Sequence, residues 1–160
     1  LYNADRLLAR YAPDPLTGLL GRRAFYDHYQ RLAAGPRRRR SGVVVLVLDI
    51  VHLKTINDRF GYMVGDEVLR TVADALKEAT RTTDLVARYG GDEFAVLLVD
   101  AGPAHTDVIV SRVQERLSDL AARRGLPLTV QCAIGVAGSQ EPPATADELL
   151  WGADEDLRRR

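Results

Sequence analysis

The sequence predicts an α+β fold in which one central sheet is covered by helices. Hydrophobic periodicity gives the order helix, strand, helix, hairpin, helix, strand, helix. Residues 43–48 form a continuous run of valine and leucine, which is typical of a strand buried on both faces in the middle of a sheet. Two glycines, Gly90 and Gly91, separate two short runs and predict a tight β-hairpin whose turn needs positive φ.

Composition indicates one globular domain with a sizeable core, because the chain has 160 residues and 46% hydrophobic content. The 22 basic and 22 acidic residues cancel, so no overall field attracts nucleic acid or an anionic membrane. A single cysteine, Cys132, excludes an internal disulfide and fits a reducing compartment. With no apolar run of membrane-spanning length and no secretory pattern, we expect a cytoplasmic domain.

The N-terminal residues predict a connection to something upstream. Apolar positions at helical spacing over 2–11 indicate the end of a helix that enters from another domain. We therefore assign 1–13 to a linker helix and 14–160 to the domain itself. The chain begins without Met and within a helical pattern, so we expect a piece of a longer protein with a sensory domain upstream, where a membrane anchor would also lie.

A rigid corner is predicted to follow this linker. Asp14 or Thr17 can cap and Gly18 can turn, leading into a helix over about 22–34. The basic run 37–40 is interpreted as a solvated loop, since the zero net charge argues against nucleic-acid binding.

Carboxylates mark one end of the predicted sheet. The buried strand ends in Asp49, and such a carboxylate is costly unless it is paired or coordinates a cation. Asp92 and Glu93 directly follow the two glycines of the hairpin, where missing Cβ atoms let a bulky anion approach the backbone. The arrangement suits a metal-bound phosphate, although an acidic hairpin tip can also serve solubility alone.

The remaining pattern predicts three helices and a strand. An amphipathic helix is expected over about 65–80, and a second over about 104–124 that Gly125 caps. A strand is expected over 126–136, and a last helix from Asp147.

Three segments together resemble, in the same order, the motifs of the GGDEF family, the diguanylate cyclases. They are Asp14-Pro15-Leu16-Thr17-Gly18-Leu19, the block 49–69, and Arg88-Tyr89-Gly90-Gly91-Asp92-Glu93-Phe94. The resemblance extends from about Asp14 to Leu157. It implies a mostly antiparallel, ferredoxin-like sheet related to the nucleotidyl cyclases and the polymerase palm. It also implies the condensation of two GTP into cyclic di-GMP and two pyrophosphates.

The resemblance implies roles for the acidic residues. Asp49, the carbonyl of Ile50 and Asp92 fall on the metal ligands, with two Mg²⁺ expected and Mn²⁺ as an alternative. Asp92 also falls on the catalytic residue that assists deprotonation, and Glu93 is a secondary catalytic residue that acts through the metal or its charge.

Three further residues fall on the substrate site of the family. Asn57 and Asp66 match the residues that hydrogen-bond the guanine edge, which is sound chemistry for an amide and a carboxylate. Lys54 matches a lysine near the phosphates. From the residues alone, Asn57 can equally be a helix cap, Asp66 an N-cap and Lys54 a solvated helix lysine.

A product-binding site is also implied. Arg81 and Asp84 match the Arg-x-x-Asp motif that binds the inhibitory product cyclic di-GMP, and Arg112 matches a second product contact. The alternative is a coincidental ion pair in a chain that is 28% charged. Because each protomer of the family binds one GTP, a homodimer is expected for activity.

The sequence also departs from the family pattern. The second aspartate, two aromatics and a histidine of the family are replaced by Val51, His52, Leu53 and Tyr62. The phosphate-binding lysine and arginine that follow the last helix in the family are not found. These departures leave a second hypothesis open, a degenerate domain that binds GTP or cyclic di-GMP without turnover. A different base preference is disfavoured because Asp66 is retained.

Overall fold

A computed structural model describes residues 11–36 and 42–160. The predicted linker helix over 2–11 therefore lies almost wholly outside the described residues, as does the basic run 37–40. The helices and strands are α1 (Arg22–Ala33), β1 (Val43–Ile50), α2 (Leu53–Phe60), α3 (Tyr62–Ala79), β2 (Leu85–Arg88), β3 (Glu93–Val99), α4 (Thr106–Arg123), β4 (Cys132–Ser139) and α5 (Asp147–Arg159), with a short 3₁₀ turn, Pro103–His105. None of the helices in the described segments has the length and apolar character needed to cross a membrane.

The four strands form one antiparallel sheet in the order β2-β3-β1-β4. β1 is therefore central, with β3 paired to it from Val43↔Val99 to Asp49↔Glu93. The α+β prediction is confirmed, and so is the placement of the hairpin beside the strand that ends near Asp49.

Side chains of β1 are buried alternately on two faces, as its unbroken apolar run predicts. Val44, Leu46 and Leu48 belong to a core shared with α3 and α4. Val43 and Val45 belong to a second core shared with α1 and α5. The fold is therefore a three-layer sandwich, in which the sheet lies between two layers of helices.

The corner before α1 turns as predicted, although Asp14 and Thr17 close the turn itself and do not cap α1, whose N-cap is Gly21. Asp14 Oδ2 accepts hydrogen bonds from the backbone N–H and the hydroxyl of Thr17, both at 2.8 Å. Gly18 follows with φ of 72°, a conformation that favours glycine. α1 then begins at Arg22, as expected.

One predicted helix boundary is wrong. α3 begins at Tyr62 rather than Gly65, and a separate helix, α2, precedes it. Gly61, with φ of 91°, lies between them and ends α2. The first residues of α3 were missed because Tyr62 and Met63 are 74% and 86% exposed and so lie outside the apolar stripe.

The last strand was also predicted too early. β4 begins at Cys132, whereas apolar residues from Leu126 suggested a strand from 126. Leu126, Leu128 and Val130 do pack on the core, but from irregular chain. Their alternation therefore reflects burial on one side, not strand pairing, which starts where Cys132 meets Ile50.

Candidate active site

The hairpin turn between β2 and β3 is closed by backbone hydrogen bonds. The N–H groups of Tyr89 and Gly90 both donate to the carbonyl of Glu93, at 2.8 and 3.2 Å. The prediction that the turn glycines need positive φ is wrong, because neither Gly90 nor Gly91 has it. A Cβ at Gly91 would meet no heavy atom within 4 Å, so this side of the turn is open to a ligand.

Arg88 connects the hairpin turn to the corner before α1, and the sequence alone did not predict this contact. Its guanidinium donates to the carbonyl of Gly91 at 2.7 Å and to both carboxylate oxygens of Asp14 at 3.1 Å. Its backbone N–H donates to the carbonyl of Leu20 at 2.8 Å. The corner before α1 therefore fixes the position of the acidic turn, and the 74-residue separation of Asp14 and Arg88 is why no local pattern predicts the contact.

The sheet brings Asp49 and the acidic turn together. Asp49 is directly opposite Glu93 in the β1–β3 register. The N–H of Ile50 donates to the carbonyl of Asp92 at 3.1 Å. Asp49 and Glu93 each lie two residues from side chains of the α1/α5 core, so both project to that face of the sheet. The predicted grouping of Asp49, Ile50, Asp92 and Glu93 is thus present in the fold.

The surroundings of Asp49 at the end of β1 disfavour the charged form of its carboxylate. Burial, and after it the charges of Glu93, Asp92 and Asp154 in that order, together raise the pKa of Asp49 to about 6. Asp154 lies on α5 and was not singled out by the sequence, since its proximity to Asp49 arises only from the packing of α5 on β1 and β4. The site therefore concentrates negative charge that a cation would relieve.

The carboxylates at this strand end are donors of the kind that bind a divalent cation together with substrate phosphates. Within 11–36 and 42–160, no group of three or more His, Cys, Asp or Glu side chains could hold a metal on its own. Mg²⁺ is usually held by one or two carboxylates, with waters and substrate phosphates filling the remaining positions. Asp49 and Asp92 provide two such carboxylates at one strand end, and the carbonyl of Ile50 is the predicted third ligand.

Asn57 and Asp66 come from two successive helices that meet at Gly65. A Cβ at Gly65 would overlap the side-chain oxygen of Asn57, so the amide lies against this glycine, which directly precedes Asp66 in the chain. Neither capping alternative is present, because Asn57 lies within α2 and Asp66 lies within α3, whose N-cap is Gly61. The two side chains are thus left for another role.

Three further residues named from the sequence lie between the end of β1 and the first turn of α2. Lys54 is exposed on α2. The N–H of Val51 donates to the carbonyl of Gln131 at 2.9 Å, which ties the end of β1 to the chain before β4. His52 has φ of 60° and occupies the N-cap of α2.

The three predicted product-site residues line one pocket of about 210 Å³. Arg81 and Asp84 lie at the turn before β2, and Arg112 lies on α4. The side chain of Asp84 is only 3% exposed and accepts hydrogen bonds from the N–H groups of Arg81 at 2.9 Å and Val99 at 3.1 Å. The side chain of Arg81 is 57% exposed, and its guanidinium donates to the carbonyl of Val99.

Comparison with known proteins identifies the family. The family model described as "Diguanylate cyclase, GGDEF domain" matches residues 11–160. The chain belongs to the GGDEF family. The division into a linker over 1–13 and a domain over 14–160 stays a prediction, since the match begins at residue 11.

Curated relatives are longer than this GGDEF chain. It is 32% identical over 147 residues to the probable diguanylate cyclase DgcT of Escherichia coli (strain K12), covering 90% of this chain and 32% of DgcT. It is 36% identical over 151 residues to the diguanylate cyclase DgcP of Pseudomonas aeruginosa, covering 91% of this chain and 22% of DgcP. The chain thus spans about a third or less of the length of these two relatives.

Solved structures share the fold. Diguanylate cyclase SiaD from Pseudomonas aeruginosa, in complex with its activator SiaC, superposes with a TM-score of 0.82 at 31% identity, covering 96% of this chain and 60% of SiaD. The GGDEF domain of DgcB from Caulobacter crescentus, in complex with c-di-GMP, superposes with a TM-score of 0.80 at 27% identity, covering 92% of this chain and 88% of that domain.

Proposed function

We propose that this chain is a diguanylate cyclase that condenses two GTP into cyclic di-GMP and two pyrophosphates. The observation that carries the proposal is the juxtaposition of Asp49 with the acidic turn, through the Asp49↔Glu93 register and the 3.1 Å bond from Ile50 to Asp92. Diguanylate cyclases among the relatives support the same activity.

The residues of the chain divide the work of binding and chemistry. The carboxylate of Asp66 accepts hydrogen bonds from the guanine edge, the amide of Asn57 both accepts and donates them, and together they select the base. Lys54 contacts the phosphates. Asp92, exposed on the turn, takes the proton of the attacking 3′-hydroxyl as it approaches the α-phosphate of the second GTP. Pyrophosphate leaves when the new phosphodiester bond forms.

A divalent cation is the cofactor that fits the acidic strand end, and the diguanylate cyclases of this family generally use one. We take it to be Mg²⁺, with two ions in each site and Mn²⁺ as the alternative. Asp49, the carbonyl of Ile50 and Asp92 would hold the cation. When bound, it lowers the pKa of the attacking hydroxyl and neutralises the triphosphate. Glu93 adds negative charge beside Asp49 and strengthens cation binding.

Two partners and a regulatory step belong to the same proposal. A second copy of the chain brings the second GTP, so the active form is a homodimer. The Arg81, Asp84 and Arg112 pocket binds cyclic di-GMP and slows the enzyme when product accumulates. An upstream sensory domain would control how the two copies meet, and the catalytic domain would work in the cytoplasm, where GTP is found.

The test is to incubate the chain, concentrated enough to dimerise, with GTP and Mg²⁺ and to separate the nucleotides by chromatography, with ATP as a parallel substrate. Cyclic di-GMP should form from GTP alone. Asp92→Ala should lose turnover and metal-dependent GTP binding without losing the fold, because the residue is exposed on a turn. Asp119→Ala, which removes an exposed aspartate of α4, is the matched control and should stay active. An Asp92→Ala protein with full activity would show that the metal site is wrongly assigned.

A second candidate, a GGDEF domain that binds nucleotide and signals without turnover, is favoured by one observation. The chain that leaves the end of β1, Val51-His52-Leu53, departs from the family pattern beside the proposed metal and phosphate positions. Absence of product from this chain and from one extended at both ends, with GTP or cyclic di-GMP still bound, would select this candidate.

A further inference from the structure

His105 lines the same pocket as the predicted product-binding residues. The pocket is lined by Arg81 and Asp84 on one side, and by His105 and Arg112 at the start and first turns of α4. His105 ends the 3₁₀ turn and occupies the N-cap of α4. No motif predicted this residue, because it reaches the pocket only through the placement of α4 against the turn before β2.

One face of α4 presents His105 to the pocket together with Arg112. Positions seven apart on a helix differ by about 20° in direction, so His105 and Arg112 share a face. Val108 and Ile109, three and four positions after His105, lie between them and also line the pocket. Val108 is 55% exposed, so the apolar middle of this face is open to a ligand. This face of α4 forms one wall of the pocket. It is apolar in its centre and has a nitrogen donor at each end, from His105 and from Arg112.

The ring of His105 is arranged to donate to an anion. Its Nδ1 accepts a hydrogen bond from the N–H of Gly102 at 3.5 Å, which leaves the proton of the neutral ring on Nε2. The imidazole therefore offers one donor when neutral and a positive charge when protonated.

Charge balance in the pocket makes that protonation consequential. Among the residues that the structure describes, the other charged groups that line the pocket are Arg81, Asp84, Asp100 and Arg112, two positive and two negative. Their charges cancel, so protonation of His105 would add one net positive charge to this described lining. Cyclic di-GMP carries two phosphodiester charges that stay constant where histidine titrates, between about pH 5 and 8.

We propose that His105 is a further product-binding residue that donates Nε2–H to a phosphodiester of cyclic di-GMP, and that its protonation makes product binding stronger as the pH falls. This inference rests on the proposed product site of the same pocket. A hydrogen bond to a charged partner gains about 1 kcal/mol when its donor is also charged, which corresponds to about fivefold tighter binding.

The test is calorimetric titration of cyclic di-GMP into the intact chain without metal or GTP, at about pH 5.5 and pH 8, the range over which histidine changes charge. Wild type should bind about fivefold more tightly at the lower pH. His105→Gln keeps a neutral donor, so it should match wild type at the higher pH and lose the gain at the lower. His105→Ala should bind more weakly at both. Arg81→Ala should weaken binding throughout, which locates the binding in this pocket.

The outcomes separate this inference from the proposed cyclase activity. Equal pH dependence in wild type and His105→Gln would overturn the inference, and so would absence of binding to wild type. Both results are independent of turnover, because no metal or substrate is present. Failure to form product in the incubation with GTP would overturn the cyclase and leave a pH-dependent product pocket standing.

Discussion

Asp49 illustrates how a carboxylate that is proposed to bind a cation opposes the stability of its own fold. Its pKa is raised to about 6 by burial and by the charges of Glu93, Asp92 and Asp154, from an ordinary value of 3.8. A carboxyl whose folded pKa is raised contributes stability below its unfolded pKa and loses that contribution as the pH rises through the folded value. The metal-free protein should therefore lose stability between about pH 4 and pH 6 through this group.

Asp49→Asn should consequently stabilise the metal-free protein at neutral pH. A shift of about two units corresponds to about 3 kcal/mol, which solvent at this partly exposed site reduces to about 1–2 kcal/mol. Thermal unfolding at about pH 5 and pH 8 should show the gain mainly at the higher pH. Added Mg²⁺ should raise the melting temperature of wild type and leave that of the variant unchanged. An equal response of both proteins to Mg²⁺ would remove Asp49 from the metal site.

Arg81 and Asp84 belong to one motif but do different work in the fold. The carboxylate of Asp84 is buried and holds the N–H groups of Arg81 and Val99, whereas the guanidinium of Arg81 is more than half exposed. Asp84→Ala should destabilise the protein by about 1–3 kcal/mol, because it leaves buried donors without acceptors. Arg81→Ala should change stability by less than half of that.

Inhibition assays complete this comparison. Arg81→Ala should need more added cyclic di-GMP for half-inhibition, measured against its own uninhibited rate, and this relief is the result expected of a product site. If the sensitivity of Arg81→Ala to added product equals that of wild type, Arg81 is an ordinary surface charge paired with Asp84.

The candidate residues of this site could be named from the sequence because they lie in short, recognisable motifs. Asp49 was deduced from a carboxylate that ends a buried strand, and Asp92 from its place after two glycines. The contacts of Arg88 with Asp14, and the proximity of Asp154 to Asp49, depend on packing between elements distant in the chain. Such contacts produce no pattern among residues that are close in the chain, so they cannot be predicted from a single sequence.

At the level of elements, the contact of α5 with β4 depends on one glycine. A Cβ at Gly135 would overlap the carbonyl oxygen of Ala153 and lie 2.6 Å from Cβ of Leu157. Gly135→Ala should therefore push α5 off the sheet and destabilise the protein by about 1–3 kcal/mol, the usual cost of overpacking. Because α5 also packs on β1, the displacement should alter the surroundings of Asp49.

The matched control is Gly21→Ala, since a Cβ at Gly21 would meet no heavy atom within 4 Å. Urea unfolding of the two variants compares them directly. If Gly135→Ala and Gly21→Ala have the same midpoint as wild type, the close approach of α5 to β4 does not contribute to stability.

The sequence predicted the position of a strand well where its residues are both buried and paired by backbone hydrogen bonds. β1 is buried on both faces and paired on both sides, so its apolar run gave its position to within two residues. The start of α3 and the start of β4 were not predictable in the same way. Exposed Tyr62 and Met63 are helical without an apolar pattern, and residues 126–131 are apolar without strand pairing.

The whole molecule provides one set of substrate-binding residues for a reaction that uses two GTP. The chain has one candidate pair for guanine binding, Asn57 and Asp66, and one candidate base, Asp92. The proposed chemistry joins the hydroxyl of one nucleotide to the α-phosphate of another. The proposed reaction therefore requires two copies that face each other, each with its own GTP. The specific activity should rise with protein concentration until the dimer saturates.

Mixing wild type with Asp92→Ala at constant total concentration tests whether both copies must be competent. If a dimer needs two intact sites, only pairs of wild-type copies are active, and their fraction is the square of the wild-type fraction. An equal mixture should then retain about a quarter of the wild-type rate, because copies exchange by mass action. Mixing with Asp119→Ala should cause no such loss. A rate of about half in the Asp92→Ala mixture would instead mean that each copy works alone, and the two-copy mechanism would have to be abandoned.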